Sequence, residues 1–230
     1  GALLVGRRND LGKVSLLPHN LSLTYIGACL LWIGWLGFNA GSELISDGVS
    51  ALAFLNTVLC PCVSALTWMV LEWVIFKKPS TLGTASGVLA GLVAITPACA
   101  FVGPIGAIVI GIFASVFCLW GVHGFKRFTK VDDSLDVFGV HGIGAIVGAI
   151  LTGVFCAESL GGSGFKEGYN SILGQVYGQF MSVVIAIIWS AIVSFIAFKI
   201  ANVLVSLRVG RDDETIGLDL TSHGERGYNL

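Results

Sequence analysis

Apolar runs of membrane-spanning length, about 20 residues or more, make up most of this chain. They lie at about 21–42, 49–75, 81–100, 104–125, 136–157 and 172–207. Only 12% of the residues are charged and mean hydropathy is +0.87, where a soluble domain carries roughly 25% charged residues. A bilayer offers no water to unpaired backbone groups, so such runs must be helical. The expected fold is an all-α integral membrane protein with six transmembrane helices. The opening Gly1-Ala-Leu-Leu-Val-Gly-Arg-Arg8 reads as the end of a seventh, because its positive charge follows its apolar part, the reverse of a signal peptide.

Charge lies between the runs and alternates in kind. One set of connections holds Arg7, Arg8 and Lys13, then Lys77 and Lys78, then Lys126, Arg127 and Lys130, then Arg208, Arg211 and Arg226. The other holds Glu43 and Asp47, the uncharged 96–103 turn, and Glu158 to Glu167 with the single Lys166. Strict alternation of spans puts nearly every Lys and Arg on one face, which the positive-inside rule makes cytoplasmic. The domains expected are a transmembrane unit over 1–207 and a cytoplasmic tail over 208–230. The last run, some 36 residues, gives a helix of about 54 Å, too long to stand upright in a bilayer, so it tilts or projects.

Within these runs a few polar residues need explaining. His141 lies in a stretch free of charge from Val137 to Ala157. It falls about eight residues, or roughly 12 Å of helix, beyond Asp132 and Asp133. Titratable groups at such depth usually face a bundle interior or a pathway. Either a backbone carbonyl holds the ring between helices, or the ring lines a pore as a neutral donor and acceptor. Gly139, Gly142 and Gly144 are expected to leave space around it. Trp35, Phe38 and Ser42, spaced three and four apart, share one side of a helix. They suit either an aromatic interfacial belt or a cation site built from ring faces and a hydroxyl.

Structural roles are expected for the remaining polar groups. Asp132, Asp133 and Asp136 precede the His141 run and suit helix capping. Glu72, near the end of its run, is expected at the interface. The glycines of Gly83-x-x-x-Gly87-x-x-x-Gly91 and Gly144-x-x-x-Gly148 suit close helix approach in lipid. Cys60-Pro61-Cys62 offers two thiols, but residues two apart point about 200° from each other on a regular helix. Packing is therefore expected, and no metal site. No paired carboxylates accompany His141, and His19, His123 and His223 all lie near charged segments, which argues against an enzyme. The pattern asks for no cofactor and no nucleic-acid partner.

Four segments resemble the ammonium transporter (Amt/Mep/Rh) family, bacterial members especially. They are Ile33-Gly-Trp-Leu-Gly-Phe-Asn-Ala-Gly-Ser42, Ser86-Gly-Val-Leu-Ala-Gly-Leu-Val-Ala-Ile-Thr-Pro-Ala-Cys99, Val131-Asp-Asp-Ser-Leu-Asp-Val-Phe-Gly-Val-His-Gly142 and Gly217-Leu-Asp-Leu-Thr-Ser-His-Gly-Glu225. They run nearly the length of the chain in family order. The resemblance implies the C-terminal half of an eleven-helix transporter: the second of two inverted repeats plus the long last helix, in a trimer with one pore per subunit. It aligns His141 with the second of the paired pore histidines and Phe38 with one of two gating phenylalanines. Ser42 aligns with the hydroxyl of the outer ammonium site, and Trp35 and Val137 with pore-lining positions. It implies ammonium or ammonia as cargo, a cell-membrane location and a PII-type signalling protein at the cytoplasmic face. The first pore histidine, the other gating phenylalanine and the cation-binding tryptophan belong to the family's first half, so this chain alone is expected not to conduct. A sensor or regulated interaction protein acting through the tail is the other function the resemblance allows.

Overall fold

The structure, a computed structural model, describes residues 1–13 and 17–227. Among the described residues it is all helix, turn and loop, with no strand. Six principal helices follow a short turn at Ala2–Val5: α1 (Leu21–Gly41), α2 (Gly48–Phe76), α3 (Thr81–Ile95), α4 (Pro104–Trp120), α5 (Ile143–Phe155) and α6 (Ile172–Leu204). Two further short helices, Arg211–Ile216 and Leu218–Thr221, lie in the expected tail, whose residues 228–230 fall outside the described set.

Among the described residues, five helical stretches are long and apolar enough to cross a bilayer; α3 is not. The run at 81–100 was expected to span, yet α3 has only 15 residues, about 22 Å against a hydrocarbon core near 30 Å. Pro97 explains the stop, since it has no N–H to donate to the carbonyl four residues back. From Thr96 to Val102 the chain proceeds in turns, with Ala98 N–H to Ile95 O at 2.8 Å and Phe101 N–H to Ala98 O at 2.8 Å. Irregular backbone buried in protein still needs hydrogen-bond partners. Asn56, fully buried on α2, donates through Nδ2 to Cys99 O and Val102 O, both at 2.8 Å.

α3 is the hub, packing on α1, α2, α4 and α5. Its small residues make this possible. A Cβ on Gly91 would lie 2.6 Å from Pro61 Cα, and one on Gly87 2.7 Å from Trp68 Cβ. The stripe 83–87–91 is thus the seam with α2, as its spacing predicts. Ser64 crosses the same seam, donating to Gly87 O at 2.6 Å and meeting Ser115 Oγ of α4 at 2.9 Å.

Glu72, expected near the interface at the end of its run, is enclosed by protein. It is buried, accepting from Trp68 Nε1 (3.2 Å), Ser80 N–H (2.7 Å) and Ser80 Oγ (3.2 Å). Its carboxylate occupies the space a Cβ on Gly83 would take. A buried carboxylate is tolerated only with such partners, and here it fastens the end of α2 to the start of α3.

At one end of the bundle the connections are tied by charge. Arg8 forks onto Asp132 through Nε (2.8 Å) and Nη2 (2.5 Å) and adds its backbone N–H (2.8 Å). Lys126 pairs with Asp136 at 2.7 Å. Arg208 pairs with Glu214 at 2.5 Å, and Glu214 also accepts from Asn9 N–H at 2.7 Å. Of the three expected capping aspartates only Asp133 caps, accepting from Val137 and Phe138 N–H at 2.9 and 2.8 Å. The other two are ion-paired instead. α6 has 33 residues, about 50 Å, and leaves nearly all of its length exposed.

Candidate functional site

The α1 part of the site is positioned by hydrogen bonds to α2 and to the 96–103 turn. Pro61 inside α2 cannot donate to the Thr57 carbonyl, which would stay unpaired in a dry interior. Trp32 Nε1 donates to that carbonyl at 3.0 Å. Asn39 Nδ2 donates to Thr57 Oγ1 at 3.0 Å, and Trp35 Nε1 to Thr96 Oγ1 at 2.7 Å. Three α1 side chains spaced three and four apart therefore pin one face of the helix.

Phe38 and Ser42 point away from that seam. Phe38 is 62% exposed, its ring edge-on to Trp35 with centroids 6.3 Å apart and planes at 84°. Ser42 Oγ donates to Phe38 O at 2.5 Å. That bond uses the hydroxyl proton and leaves oxygen lone pairs free to accept. Ring faces and a hydroxyl acceptor form a surface suited to a small cation with N–H donors.

The second part lies where α5 begins. Residues Phe138–Gly142 make a π-turn that carries His141. A second π-turn, Gly121–Phe125, ends α4. The two meet closely, for a Cβ on Gly139 would lie 2.9 Å from Val122 N. Cys118 Sγ lies 3.5 Å from Val140 O, a carbonyl at the turn. Wide turns of this kind recur at functional sites. His141 and Val137 both face outward, Val137 at 53% exposure, and among the described residues the His141 ring makes no hydrogen bond, ion pair or ring contact. No backbone carbonyl among the described residues holds it. The three glycines, however, do not supply the expected space beside the ring. Gly139 is filled by Val122, Gly144 by Cys118 and Val93, and Gly142 by the Phe138 ring. Gly139 and Gly144 serve contact with neighbouring helices.

Trp35, Phe38 and Ser42 thus sit together on α1, Val137 and His141 at the start of α5. α3 packs between α1 and α5, and no hydrogen bond or ring contact joins the two sets among the described residues. Thr96, Thr57 and Asn39 were missed in the sequence. The Trp32–Trp35–Asn39 spacing opposite Pro61 is the signal that could have found them. Cys60 is buried, 3.4 Å from Gly91 O, while Cys62 is exposed, so the two thiols diverge as helical geometry predicts.

The chain matches the model of the Ammonium Transporter Family over residues 1–228. It belongs to that family. It is 42% identical over 227 residues to an ammonium transporter of Bacillus subtilis, covering 99% of this chain and 56% of that one. It is 45% identical over 231 residues to an ammonium transporter of Aquifex aeolicus, covering 100% of this chain and 53% of the relative. The chain spans about half the length of these relatives. Among solved structures it is similar to a protein described as a sensor Amt protein, at 27% identity and a TM-score of 0.86 over 96% of this chain and 55% of that one. It is also similar to Saccharomyces cerevisiae Mep2, at 32% identity and a TM-score of 0.80 over 92% and 49%. The two sequence relatives are named as ammonium transporters, and neither name is that of an enzyme.

Proposed function

We propose that this chain supplies the second half of a pore that carries ammonium nitrogen across the cell membrane. In this reading Trp35, Phe38 and Ser42 form the recruiting surface. The ring faces attract ammonium, worth about 0.5–2 kcal/mol depending on how dry the site is, and the Ser42 oxygen accepts one of its N–H groups. A bare cation in a narrow apolar passage costs several kcal/mol, so desolvation favours the neutral form. Ammonium gives up a proton near the mouth and ammonia moves on. Val137 and His141 line its path, and the imidazole either bonds ammonia or carries the proton separately.

What supports this is the family match across nearly the whole chain, joined to the way Thr96 and Thr57 hold the α1 face behind Phe38 and Ser42. The outward exposure of Phe38, Val137 and His141 suits surfaces covered by an inverted first repeat. The homotrimer, the cytoplasmic tail and a PII-type partner belong to the same proposal. The test is His141→Ala in a transporter carrying both halves, read as ammonium-dependent current and uptake. Loss of current or of selectivity is expected, and unaltered transport contradicts the role of His141.

The likeness to a sensor Amt protein favours a second reading, a sensor acting through its tail. Truncation at Arg208 separates the two. A sensor loses its soluble partner in a pull-down while the pore's own conductance stays the same.

A further inference from the structure

One cavity has no part in the proposed pore. About 240 Å³ in volume, it lies between the Ala2–Val5 turn and the last turns of α6. Its walls divide by chemistry. Leu4, Val5 and Phe198 are apolar, whereas Lys199, Asn202 and Arg208 present donors. Lys199 is the one charged residue in the 33 of α6. It stands five residues before the helix end, about 7.5 Å, within reach of a polar boundary for a chain that snorkels. No carboxylate pairs with it among the described residues; its Nζ rests 5.5 Å from the Phe195 ring centre. The Asn202 amide is likewise without a hydrogen bond there. Arg208 gives one nitrogen to Arg7 O and another to Glu214, which offsets its charge. Ser206 is engaged with the Arg208 backbone.

We propose that this cavity binds an anionic phosphate group, with Lys199 as the principal cation and Asn202 and Arg208 as further donors. The helix end contributes an opposing field, equivalent to about half a negative charge. One full unpaired cation exceeds it, so the site stays net attractive to an anion. The apolar wall matches an acyl chain running along α6, and basic pockets between helices at this level suit lipid headgroups. A soluble phosphate shares the same headgroup chemistry.

The experiment uses the chain in neutral detergent, with fluorescent short-chain phosphatidylglycerol and phosphatidylcholine of equal chain length as probes. Phosphatidylglycerol is expected to bind roughly fivefold tighter or more. Lys199→Ala removes that preference and Lys199→Arg keeps it. Glu214→Gln frees the Arg208 charge and tightens phosphatidylglycerol binding, a gain that mere damage to the fold does not produce. Competition by millimolar inorganic phosphate supports the site and assigns it to soluble phosphate; absence of competition assigns it to lipid. Equal binding of the two lipids, or a preference that survives Lys199→Ala in a folded protein, overturns the proposal. Should Lys199→Ala fail to fold, unchanged or weaker binding by Glu214→Gln does so.

Discussion

Replacing Gly148 by Ala forces two helix backbones apart, whereas the same change one turn earlier, at Gly144, does not. A Cβ on Gly148 would lie 2.1 Å from Ala94 O and 2.7 Å from both Ala94 C and Cα. All three are backbone atoms, so no rotamer relieves the clash. Reaching even 3.4 Å, the near edge of ordinary contact, means moving α5 off α3 by more than an ångström. Overpacking of this kind costs about 1–3 kcal/mol, occasionally more, and the better helix propensity of Ala returns at most about 1 kcal/mol. A net loss of about 2 kcal/mol lowers the melting temperature of a chain this size by roughly 4–8 °C. At Gly144 the nearest atoms are Cys118 Sγ at 3.2 Å and Val93 Cγ1 at 3.3 Å, both side-chain atoms a few tenths of an ångström from ease. There the propensity gain and the crowding offset each other, and the melting temperature shifts by no more than about 2 °C. Thermal unfolding followed by tryptophan fluorescence in detergent reads both variants. Equal destabilisation by the two substitutions refutes the reasoning, since the sequence motif treats the two glycines alike and only the packing separates them.

Three further outcomes follow from single contacts. Thr96→Val removes the acceptor of the Trp35 N–H; in a transporter carrying both halves, ammonium KM rises several-fold, about 1 kcal/mol of lost positioning, with maximal uptake kept. Asn56→Leu leaves Cys99 O and Val102 O without donors in a dry interior, and a loss of about 2–3 kcal/mol is expected, seen as faster hydrogen exchange across 96–103. The Arg8 guanidinium, by hydrogen bonding, holds the Asp132 carboxyl below the usual carboxylate range. A lowered folded value means the clasp stabilises fully above about pH 4 and is lost as pH falls through the lowered value. Exchange protection at the Arg8 N–H, which donates to Asp132, therefore drops at acid pH, and Asp132→Asn removes that dependence.

Much of this fold was legible because lipid imposes one rule, that long apolar runs become helices. Five of the six runs obey it. The sixth fails at Pro97 for a reason that is local, while the remedy is distant: turns at 96–103 survive because Asn56, some forty residues earlier, supplies the donors. Glu72 shows the same division between local and distant information. Position along a run predicts depth, but not whether Ser80, Trp68 and an empty space at Gly83 wait for a carboxylate. The spacing of Trp35 and Phe38 anticipated their ring contact, because helix period is a property of the chain itself. That Pro61 leaves the Thr57 carbonyl open for Trp32 was also written in the sequence, as a missing N–H, yet its partner lies 25 residues away. The π-turn under His141 had no such signature beyond its glycines, and of these Gly139 serves contact with the opposing turn rather than room for the ring. The cost of unpaired backbone polarity thus does more here than specify helices. It also decides where helix may be abandoned, at 96–103 and at the two π-turns, and it places the polar side chains behind Phe38 and Ser42.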